Sequence, residues 1–237
     1  MRVALIGYGK MGKVIESILL ERGHQVTLKI TRENSNYTSE ELKSSDVAIE
    51  FSVPEAAAGN IRKCFEAHVP VVVGTTAWYA HFDDLTKECK RKNGALFYAS
   101  NFSLGVNIFF EVNKKLAAIM NQFPGYNVDI DEIHHTQKLD APSGTAITTA
   151  EVILKELDRK NNWSLNSENS PSDLKITAQR IPDVPGTHIV KYESDIDVLT
   201  FEHQAKSRKG FALGAVLAAE FLHGKKGVFG MNDLLNF

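Results

Sequence analysis

The sequence predicts an α/β protein: a domain built on a parallel sheet, followed by an α+β domain whose sheet is mixed or antiparallel. Three observations support this prediction. Up to Asn101, short apolar runs alternate with stretches of helical spacing, which is typical of parallel strands joined by crossover helices. The apolar runs are nearly continuous, as expected for strands that are buried on both faces. Beyond Asn101 the alternation stops, and longer helices and alternating strand-like segments follow.

The predicted strands of the first domain are short apolar runs. They fall at residues 3–6, 26–30, 46–51, 71–73 and 95–99. Helical spacing extends from Val14 to Gly23, and Pro54 opens a second helix at a favoured first-turn position. A charged helix separates the last two strands. This order predicts a parallel sheet with its helices in the crossover connections.

Longer helices and further strands are predicted for the rest of the chain. The helices fall at residues 104–120, 143–159 and 212–222, and an alternating strand begins near Tyr126. Residues 161–173 are rich in Asn and Ser and are predicted to form an exposed loop. Antiparallel strands are then predicted at 174–181, 188–192 and 195–204. Spacing alone does not show whether the last helix returns to the first domain.

Composition and charge exclude several classes of protein. Hydrophobic residues make up 43% of the chain, which is ordinary for a globular protein with a core. A net charge of −2 gives no general attraction to nucleic acid or to an anionic membrane. We find no signal peptide or membrane span, so the cytoplasm is the expected location. Cys64 and Cys89 fit no disulfide or metal pattern and are expected to be reduced residues on helices.

A glycine cluster follows the first predicted strand and opens the first predicted helix. It has the spacing G-x-G-x-x-G, which by itself also occurs in plain turns. Its position at the start of a strand–helix–strand pattern favours dinucleotide binding, because glycines let the backbone approach a pyrophosphate at a helix N-terminus. The residues of this predicted cofactor loop are Gly7, Tyr8, Gly9, Lys10, Met11 and Gly12.

Two further polar loops follow predicted strands. Ligands bind at the carboxyl edge of open α/β sheets, so both loops are candidates for cofactor contacts. The alternative is that each is only a polar connection, and the residues do not decide between the two. The first loop is Gly74, Thr75 and Thr76, and the second is Ala99, Ser100, Asn101 and Phe102.

The segment 134–145 is the most informative part of the sequence. His134 and His135 end a predicted strand, and Lys138 follows closely. A histidine can donate a proton near neutral pH, and a lysine can stabilise developing negative charge. The segment therefore predicts an active site. A structural histidine pair is the main alternative, and a metal site is disfavoured because no carboxylate or cysteine stands at ligand spacing.

The next helix is predicted to begin near Ser143, inside this segment. Gly144 and Thr145 then lie in its first turn, where exposed N–H groups and the Thr145 hydroxyl form a carboxylate site. For Ser143 alone, ordinary helix capping is an equally good interpretation. His188 and Arg208 are basic residues near predicted strand ends, where most such charges are simply solvated.

Together these motifs resemble the dihydrodipicolinate reductases, also called 4-hydroxy-tetrahydrodipicolinate reductases. The resemblance covers nearly the whole chain. It rests above all on residues 134–145, and the core at 138–146, Lys-Leu-Asp-Ala-Pro-Ser-Gly-Thr-Ala, is highly specific. Further matches are residues 7–12, 50–54, 74–76, 101–107 and 207–212.

The resemblance implies reduction of a small cyclic dicarboxylate to tetrahydrodipicolinate with NADPH or NADH, on the diaminopimelate route to lysine. It implies a dinucleotide-binding Rossmann domain over residues 1–103, joined by the C-terminal helix at about 208–237. It also implies a substrate-binding domain over 104–207 whose sheet assembles a homotetramer. The three loops described above would contact the cofactor. The implied site residues are His134 and Lys138 as the catalytic pair, and His135, Gly144 and Thr145 for the substrate carboxylates, with Ser143 beside them.

The choice of His134 over His135 as proton donor rests on family correspondence only, since adjacent strand residues face opposite sides. The chain departs from commoner members of the family at two places. Residues 136–137 are Thr-Gln instead of the more usual basic residues. Thr31 stands after the second strand, where an acidic residue often binds the ribose. Arg32 follows it and is predicted to bind the 2′-phosphate of NADPH, although a one-residue boundary error would put Glu33 at that position.

Two rival functions would also use a dinucleotide: another nicotinamide enzyme, such as a semialdehyde or amino-acid dehydrogenase, and a redox sensor. An acylating semialdehyde dehydrogenase needs a thiolate nucleophile, but Cys64 and Cys89 both precede the histidine–lysine segment and lie on predicted helices of the first domain. A redox sensor that only binds the dinucleotide would keep the glycine loop. Such a sensor would have no use for Lys138 beside two histidines and a helix start.

Overall fold

The computed structural model describes residues 1–167 and 170–237, and it divides into two compact units. The first unit comprises residues Met1–Leu104 and Lys209–Phe237, and the second comprises Gly105–Arg208. In chain order the strands are β1 (Arg2–Ile6), β2 (Gln25–Ile30), β3 (Val47–Glu50), β4 (Val71–Val73), β5 (Ala95–Tyr98), β6 (Asn127–His134), β7 (Asn162–Leu165), β8 (Asp173–Arg180), β9 (Thr187–Glu193), β10 (Val198–Gln204) and β11 (Gly227–Phe229). The helices are α1 (Lys10–Glu21), α2 (Ser39–Leu42), α3 (Pro54–Glu66), α4 (Phe82–Arg91), α5 (Leu104–Met120), α6 (Gly144–Leu154), α7 (Lys209–Leu222) and α8 (Met231–Leu235).

The first unit is built on a parallel six-stranded sheet. Its strand order is β11-β5-β4-β3-β1-β2, and every neighbouring pair is parallel. This confirms the predicted parallel sheet and its five predicted strands. The three-residue strand β11 was not predicted, because it pairs with β5 from more than a hundred positions away in the chain.

Apolar side chains cover both faces of this sheet. One core joins α1 and α7 to the sheet through residues such as Ile15, Leu19 and Val216, and the other core includes Ile61 and Leu85 from α3 and α4. Burial on both faces explains why the strands are continuously apolar. The last long helix, α7, contacts α1, β3, β4 and β5, so it belongs to the core of the first unit.

The second unit contains a mixed five-stranded sheet in the order β10-β9-β6-β8-β7. The pairs β6–β9 and β9–β10 are antiparallel, whereas β6–β8 and β7–β8 are parallel. The prediction that residues 174–181 form an antiparallel strand is therefore wrong. The chain travels from β6 to β8 through α6 and β7, and a long crossover containing a helix returns the strand in the parallel direction.

The predicted exposed loop at residues 161–173 is wrong in part. Residues 162–165 form β7, an edge strand that pairs with β8, and the half-buried Trp163 packs against the core. A polar four-residue edge strand carries little periodic signal, which is why the composition suggested a loop. Residues 168 and 169 of that predicted loop lie outside the described residues. The predicted helix at 143–159 is shorter than expected, since α6 ends at Leu154.

The two cysteines occupy the predicted helices. Cys64 lies on α3 and Cys89 on α4, and both are buried thiols outside any disulfide. Burial raises the pKa of each thiol. Among the described residues, no helix combines the length and the apolar character needed to cross a bilayer.

Candidate active site

The glycine loop between β1 and α1 has the geometry of a dinucleotide cradle. Gly7 has a φ of +94°, and a Cβ there would lie 2.1 Å from the carbonyl oxygen of Phe51. A Cβ on Gly12 would lie 2.8 Å from the carbonyl oxygen of Gly7, whereas a Cβ on Gly9 would meet no atom within 4 Å. The outer two glycines therefore permit tight backbone packing, and Gly9 leaves open space at the start of α1.

The start of α1 suits an anion. Gly9 is the N-cap residue, and the first turn contains no acidic side chain. The N–H groups of a first helical turn have no acceptors within the helix, and they carry a partial positive charge. The open space above Gly9 therefore fits a pyrophosphate. Among the predicted residues here, Lys10 is exposed, while Tyr8 and Met11 are half-buried.

A cavity of about 710 Å³ extends from the glycine loop to the end of β2. Its lining includes Gly7, Tyr8, Gly9 and Arg32 from the predicted cofactor residues, together with Glu33 and Lys63. This volume is in the range of small-molecule sites. These residues fit one half of a dinucleotide, with the glycine loop at one end of the cavity and polar side chains at the other.

Polar residues after β2 face this cavity in a fixed loop. Thr31 Oγ1 donates to Asn34 Oδ1 (3.1 Å) and accepts from the Glu33 amide (3.2 Å), so its hydroxyl serves the loop. Arg32 and Glu33 are both exposed and both line the cavity. The strand ends at Ile30, as predicted, which leaves Arg32 two positions beyond it.

The two later loops each use part of their polar groups internally. A Cβ on Gly74 would lie 2.1 Å from the Phe51 ring, so a side chain there would have to displace that ring. Thr75 is buried, and its Oγ1 accepts from the Ser52 amide (2.8 Å). Phe102 is also buried, with its ring 5.7 Å from that of Phe51.

The remaining residues of these loops are more open. Thr76 and Ser100 are exposed, and Asn101 is half-buried. Asn101 Oδ1 accepts from the Ser103 amide (2.9 Å). These side chains, and the backbone of Ala99 and Phe102, therefore stay candidates for the cofactor contacts that the sequence predicts.

In the second unit, a charged side chain lies on the buried face of β6. Residues alternate along this strand, and Glu132 and His134 occupy the same inward face as Val128 and Ile130. Glu132 has 0% exposure, yet it carries a carboxylate. His135 follows the strand and is half-buried.

Glu132 binds the start of α6 and a neighbouring strand. Each of its oxygens accepts from the Ser143 amide (3.1 Å), and Oε1 also accepts from Arg180 Nη2 (3.1 Å). His134 Nδ1 lies 3.4 Å from Oε2 but forms no hydrogen bond. Burial by itself would raise the pKa of Glu132, but the adjacent His134 ring, Ser143 and Arg180 together outweigh burial and lower the pKa to about 2. The carboxylate is therefore ionised.

His188 joins this cluster from the neighbouring strand β9, where it is the register partner of Glu132. Its ring centroid lies 5.0 Å from that of His134, and its Nε2 lies 3.1 Å from Ser143 Oγ. Burial and the nearby His134 lower the pKa of His188 to about 3. His188 is therefore a neutral imidazole, so the interpretation of this residue as a solvated charge is wrong. Arg208 is exposed, at the end of the second unit.

Lys138 lies on the loop between β6 and α6. Its Nζ donates to both carboxylate oxygens of Asp140, each at 2.8 Å. These hydrogen bonds hold the pKa of Asp140 below its usual value. Lys138 is thus tied to Asp140 within the loop that connects His135 to the start of α6.

The predicted helix start is confirmed at Ser143. Ser143 is the N-cap of α6, and its Oγ accepts from the Ala146 amide (3.2 Å). Ser143 is buried, so its polar atoms contact the protein. Gly144 is exposed and a Cβ there would meet nothing within 4 Å, while Thr145 is half-buried. The open surface at this helix start is therefore formed by Gly144 and Thr145.

Sequence reasoning missed Glu132 and Arg180. A signal for Glu132 existed, because strand alternation places it on the same face as His134. No local signal existed for Arg180, which lies 48 positions further along the chain.

The expectation that no carboxylate stands at ligand spacing from the histidines is wrong. Glu132, His134 and His188 have ligand atoms within 4.8 Å of one another, which is compatible with a divalent cation. The carboxylate already accepts from Ser143 and Arg180, and the Arg180 charge would repel a metal ion. We therefore interpret the cluster as a network of charged and hydrogen-bonded side chains and not as a metal site.

Comparison with known proteins finds similarity to one enzyme family in both halves of the chain. Residues 1–102 match the family model described as dihydrodipicolinate reductase, N-terminus, and residues 105–235 match its C-terminal counterpart. A 4-hydroxy-tetrahydrodipicolinate reductase from Christiangramia forsetii is 50% identical over 100% of this chain and 98% of its own length. One from Neisseria meningitidis is 36% identical, covering 93% of this chain and 83% of its own.

A solved structure shares the fold. The dipicolinate-bound dihydrodipicolinate reductase from Paenisporosarcina sp. TG-14 superposes with a TM-score of 0.77 at 20% identity, over 97% of each chain. Both halves of the chain match the family models. The two relatives named above are each more than one third identical to this chain in sequence. The chain therefore belongs to the dihydrodipicolinate reductase family.

Proposed function

We propose that the chain reduces 4-hydroxy-tetrahydrodipicolinate to tetrahydrodipicolinate with NADPH or NADH, in the biosynthesis of diaminopimelate and lysine. The full-length relatives that carry this enzyme's name support the proposal. The observation that carries it is the placement of Lys138 beside His135 and the open start of α6. This arrangement offers a cation and the positive end of a helix to a small dicarboxylate.

Within this proposal, His134 and Lys138 form the catalytic pair. The nicotinamide, when bound, supplies the hydride. The 4-hydroxyl group would leave as water to give a conjugated ring, and this ring would then take up the hydride and one proton to complete the reduction. His134 donates that proton, and the Lys138 ammonium stabilises the developing negative charge.

The substrate carboxylates are held by His135 and by the first turn of α6. Gly144 leaves the backbone N–H groups accessible, and Thr145 adds a hydroxyl donor. Fixing both carboxylates orients the ring, which is a large part of the expected rate gain. Ser143 is the cap that keeps this turn in place, so its contribution to binding is through the helix start.

The reaction is tested by following nicotinamide absorbance with purified protein, while the preceding synthase generates the substrate. We expect substrate-dependent oxidation of NADPH or NADH. A protein that binds the cofactor without turnover would be a redox sensor. An acylating semialdehyde dehydrogenase is disfavoured, because Cys64 and Cys89 are buried thiols whose pKa is raised.

Thr145 is expected to affect inhibition by planar dicarboxylates. Pyridine-2,6-dicarboxylate should compete with the substrate. Thr145→Val should weaken its inhibition roughly fivefold, since one hydrogen bond contributes about 1 kcal/mol. The measurement is the inhibition constant, and Thr148→Val on the same helix is the control. Equal inhibition of wild type and Thr145→Val would remove this residue from the site.

Arg32 is expected to favour NADPH. It lines the cavity just beyond β2, and its guanidinium can fork onto a 2′-phosphate. A charge-assisted contact of about 1.5–3 kcal/mol means that Arg32→Ala loses roughly ten- to hundredfold in NADPH efficiency. NADH use should barely change, because its ribose has no phosphate.

The measurement for Arg32 is the ratio of kcat/KM for the two cofactors. Glu33→Gln is the matched control, because Glu33 lines the same cavity. A wild type that strongly prefers NADH, or an Arg32→Ala ratio equal to that of wild type, would instead assign the ribose to Glu33.

We further propose that the first unit binds the dinucleotide and that the second binds the substrate and assembles a homotetramer in the cytoplasm. Exposed apolar side chains on and beside the edge strand β10, at Ile196, Val198 and Leu199, support an assembly through this sheet. Sedimentation as a single chain at micromolar concentration would contradict the tetramer.

A further inference from the structure

Arg180, the last residue of β8, contacts the loop that carries Lys138. Its Nη2 donates to the carbonyl oxygen of Asp140 (2.6 Å), and its Nε donates to the carbonyl oxygen of Lys138 (3.3 Å). One guanidinium therefore holds two backbone positions of this loop, on either side of the exposed Leu139. The Lys138 ammonium binds Asp140, which lies in the same loop. The position of this ammonium therefore depends on where the loop backbone lies.

The same guanidinium is anchored by Glu132. Nη2 donates to Oε1 of this fully buried carboxylate (3.1 Å), which also accepts from the amide at the start of α6. A buried charge is stable only when it is paired and hydrogen-bonded, so Glu132 and Arg180 fix one another. The planar fork of arginine suits this role, because it presents several donors in a rigid arrangement.

These contacts join the β6 strand, the lysine loop and the helix start through one ion pair. The loop has no strand pairing of its own between His135 and Ser143, and the ion pair supplies that restraint from the sheet. The hydrogen bonds described above from Arg180 to the loop end on carbonyl oxygens, so they do not use the Lys138 ammonium.

We propose that Arg180 is a positioning residue, which holds the loop so that the Lys138 ammonium lies at the reacting group. This inference rests on the proposed catalytic role of Lys138. Misplacing a catalytic group by about 1 Å can cost roughly a hundredfold in rate. Loss of Arg180 therefore lowers kcat about a hundredfold and changes KM much less.

A double-mutant cycle tests the proposal. Arg180→Met is measured in the wild-type background and in Lys138→Ala, with kcat, KM and the thermal unfolding midpoint recorded for each protein. We expect the roughly hundredfold loss of kcat in the first background, and a further loss of about twofold or less in the second. A role in folding alone would lower kcat equally in both backgrounds, and that result would overturn the proposal.

Two further variants keep the test decisive. Arg180→Lys retains a charge for Glu132 but has no fork to reach both carbonyl oxygens, so full activity in this variant would also overturn the proposal. Arg159→Met is the matched control, because Arg159 also donates to two backbone carbonyl oxygens, of Met120 and Tyr126. It should leave kcat unchanged in both backgrounds.

The two hypotheses fail in different ways. Normal turnover of Lys138→Ala by itself would count against the proposed catalytic role of Lys138. Equal losses for Arg180→Met in both backgrounds, with Lys138→Ala still impaired, would count against the positioning role alone.

Discussion

Lys138→Ala is expected to lower turnover by about 10²–10⁴, the usual range for a group that stabilises charge or transfers a proton. The cation would be lost at the point where hydride addition creates negative charge. Folding should change little, because among the described residues the Lys138 ammonium pairs only with the exposed Asp140 carboxylate, and pairs of that kind contribute about 0–1 kcal/mol. The measurement is kcat at saturating substrate, together with the thermal unfolding midpoint.

The matched control for Lys138→Ala is Lys191→Ala. Lys191 Nζ lies 2.5 Å from Asp131 Oδ2 in the sheet of the same unit, so this change also removes one partly exposed ion pair. Turnover should be normal in this control. Near-normal kcat in Lys138→Ala would show that the catalytic assignment is wrong. A loss of kcat in both variants would indicate a general disturbance of the unit.

The second large effect is the loss of folding stability when the pH falls below neutrality, caused by His188. This side chain is 4% exposed, and burial with the neighbouring His134 lowers its pKa from 6.5 to about 3. The unfolded chain therefore binds a proton at His188 below about pH 6.5, whereas the folded protein stays unprotonated there. The free energy of unfolding consequently falls by about 1.4 kcal/mol per pH unit below that point.

Between pH 7 and pH 5 this predicts a loss of about 2 kcal/mol from His188. Denaturant unfolding at the two pH values measures the loss, and His188→Asn should reduce it by that amount. Glu132 does not contribute in this window, because its pKa is lowered from 4.5 to about 2 and its stabilisation is lost only at lower pH. The lowered pKa of His203 acts in the same direction as His188 and stays in both proteins.

The test compares how much unfolding free energy each protein loses between pH 7 and pH 5. A variant that is less stable at both pH values therefore still gives a valid comparison. His223→Asn, which replaces an exposed histidine outside the cluster, is the control and should keep the wild-type loss. An equal pH difference in wild type and His188→Asn would show that His188 is protonated in the folded protein.

Local patterns in the sequence predicted much of the fold. Continuous apolar runs placed β1 to β5, Pro54 marked the start of α3, and the predicted helix at 104–120 matches α5 to the residue. The glycine spacing also predicted a loop whose close contacts, at Gly7 and Gly12, are now visible. Each of these features depends on residues within one or two turns of each other.

Strand direction and short edge elements could not be predicted in this way. The parallel pairing of β8 with β6 depends on the path of the chain through α6, and β7 and β11 are short strands whose partners are distant in sequence. The periodicity of a strand is the same for parallel and antiparallel neighbours. Its direction is decided only when the crossover packs against the sheet.

In the site, too, some features follow from local sequence and others from the tertiary structure. The sequence by itself determined the chemistry of the segment 134–145: a histidine pair, a lysine and a helix start capped by Ser143. Only the tertiary structure brought Arg180 and His188 to this segment and buried Glu132 between them. Local spacing records which residues share a helix turn or a strand face. Strands β6, β8 and β9 become neighbours only in the folded sheet, and only there does burial determine which of these side chains carry charge.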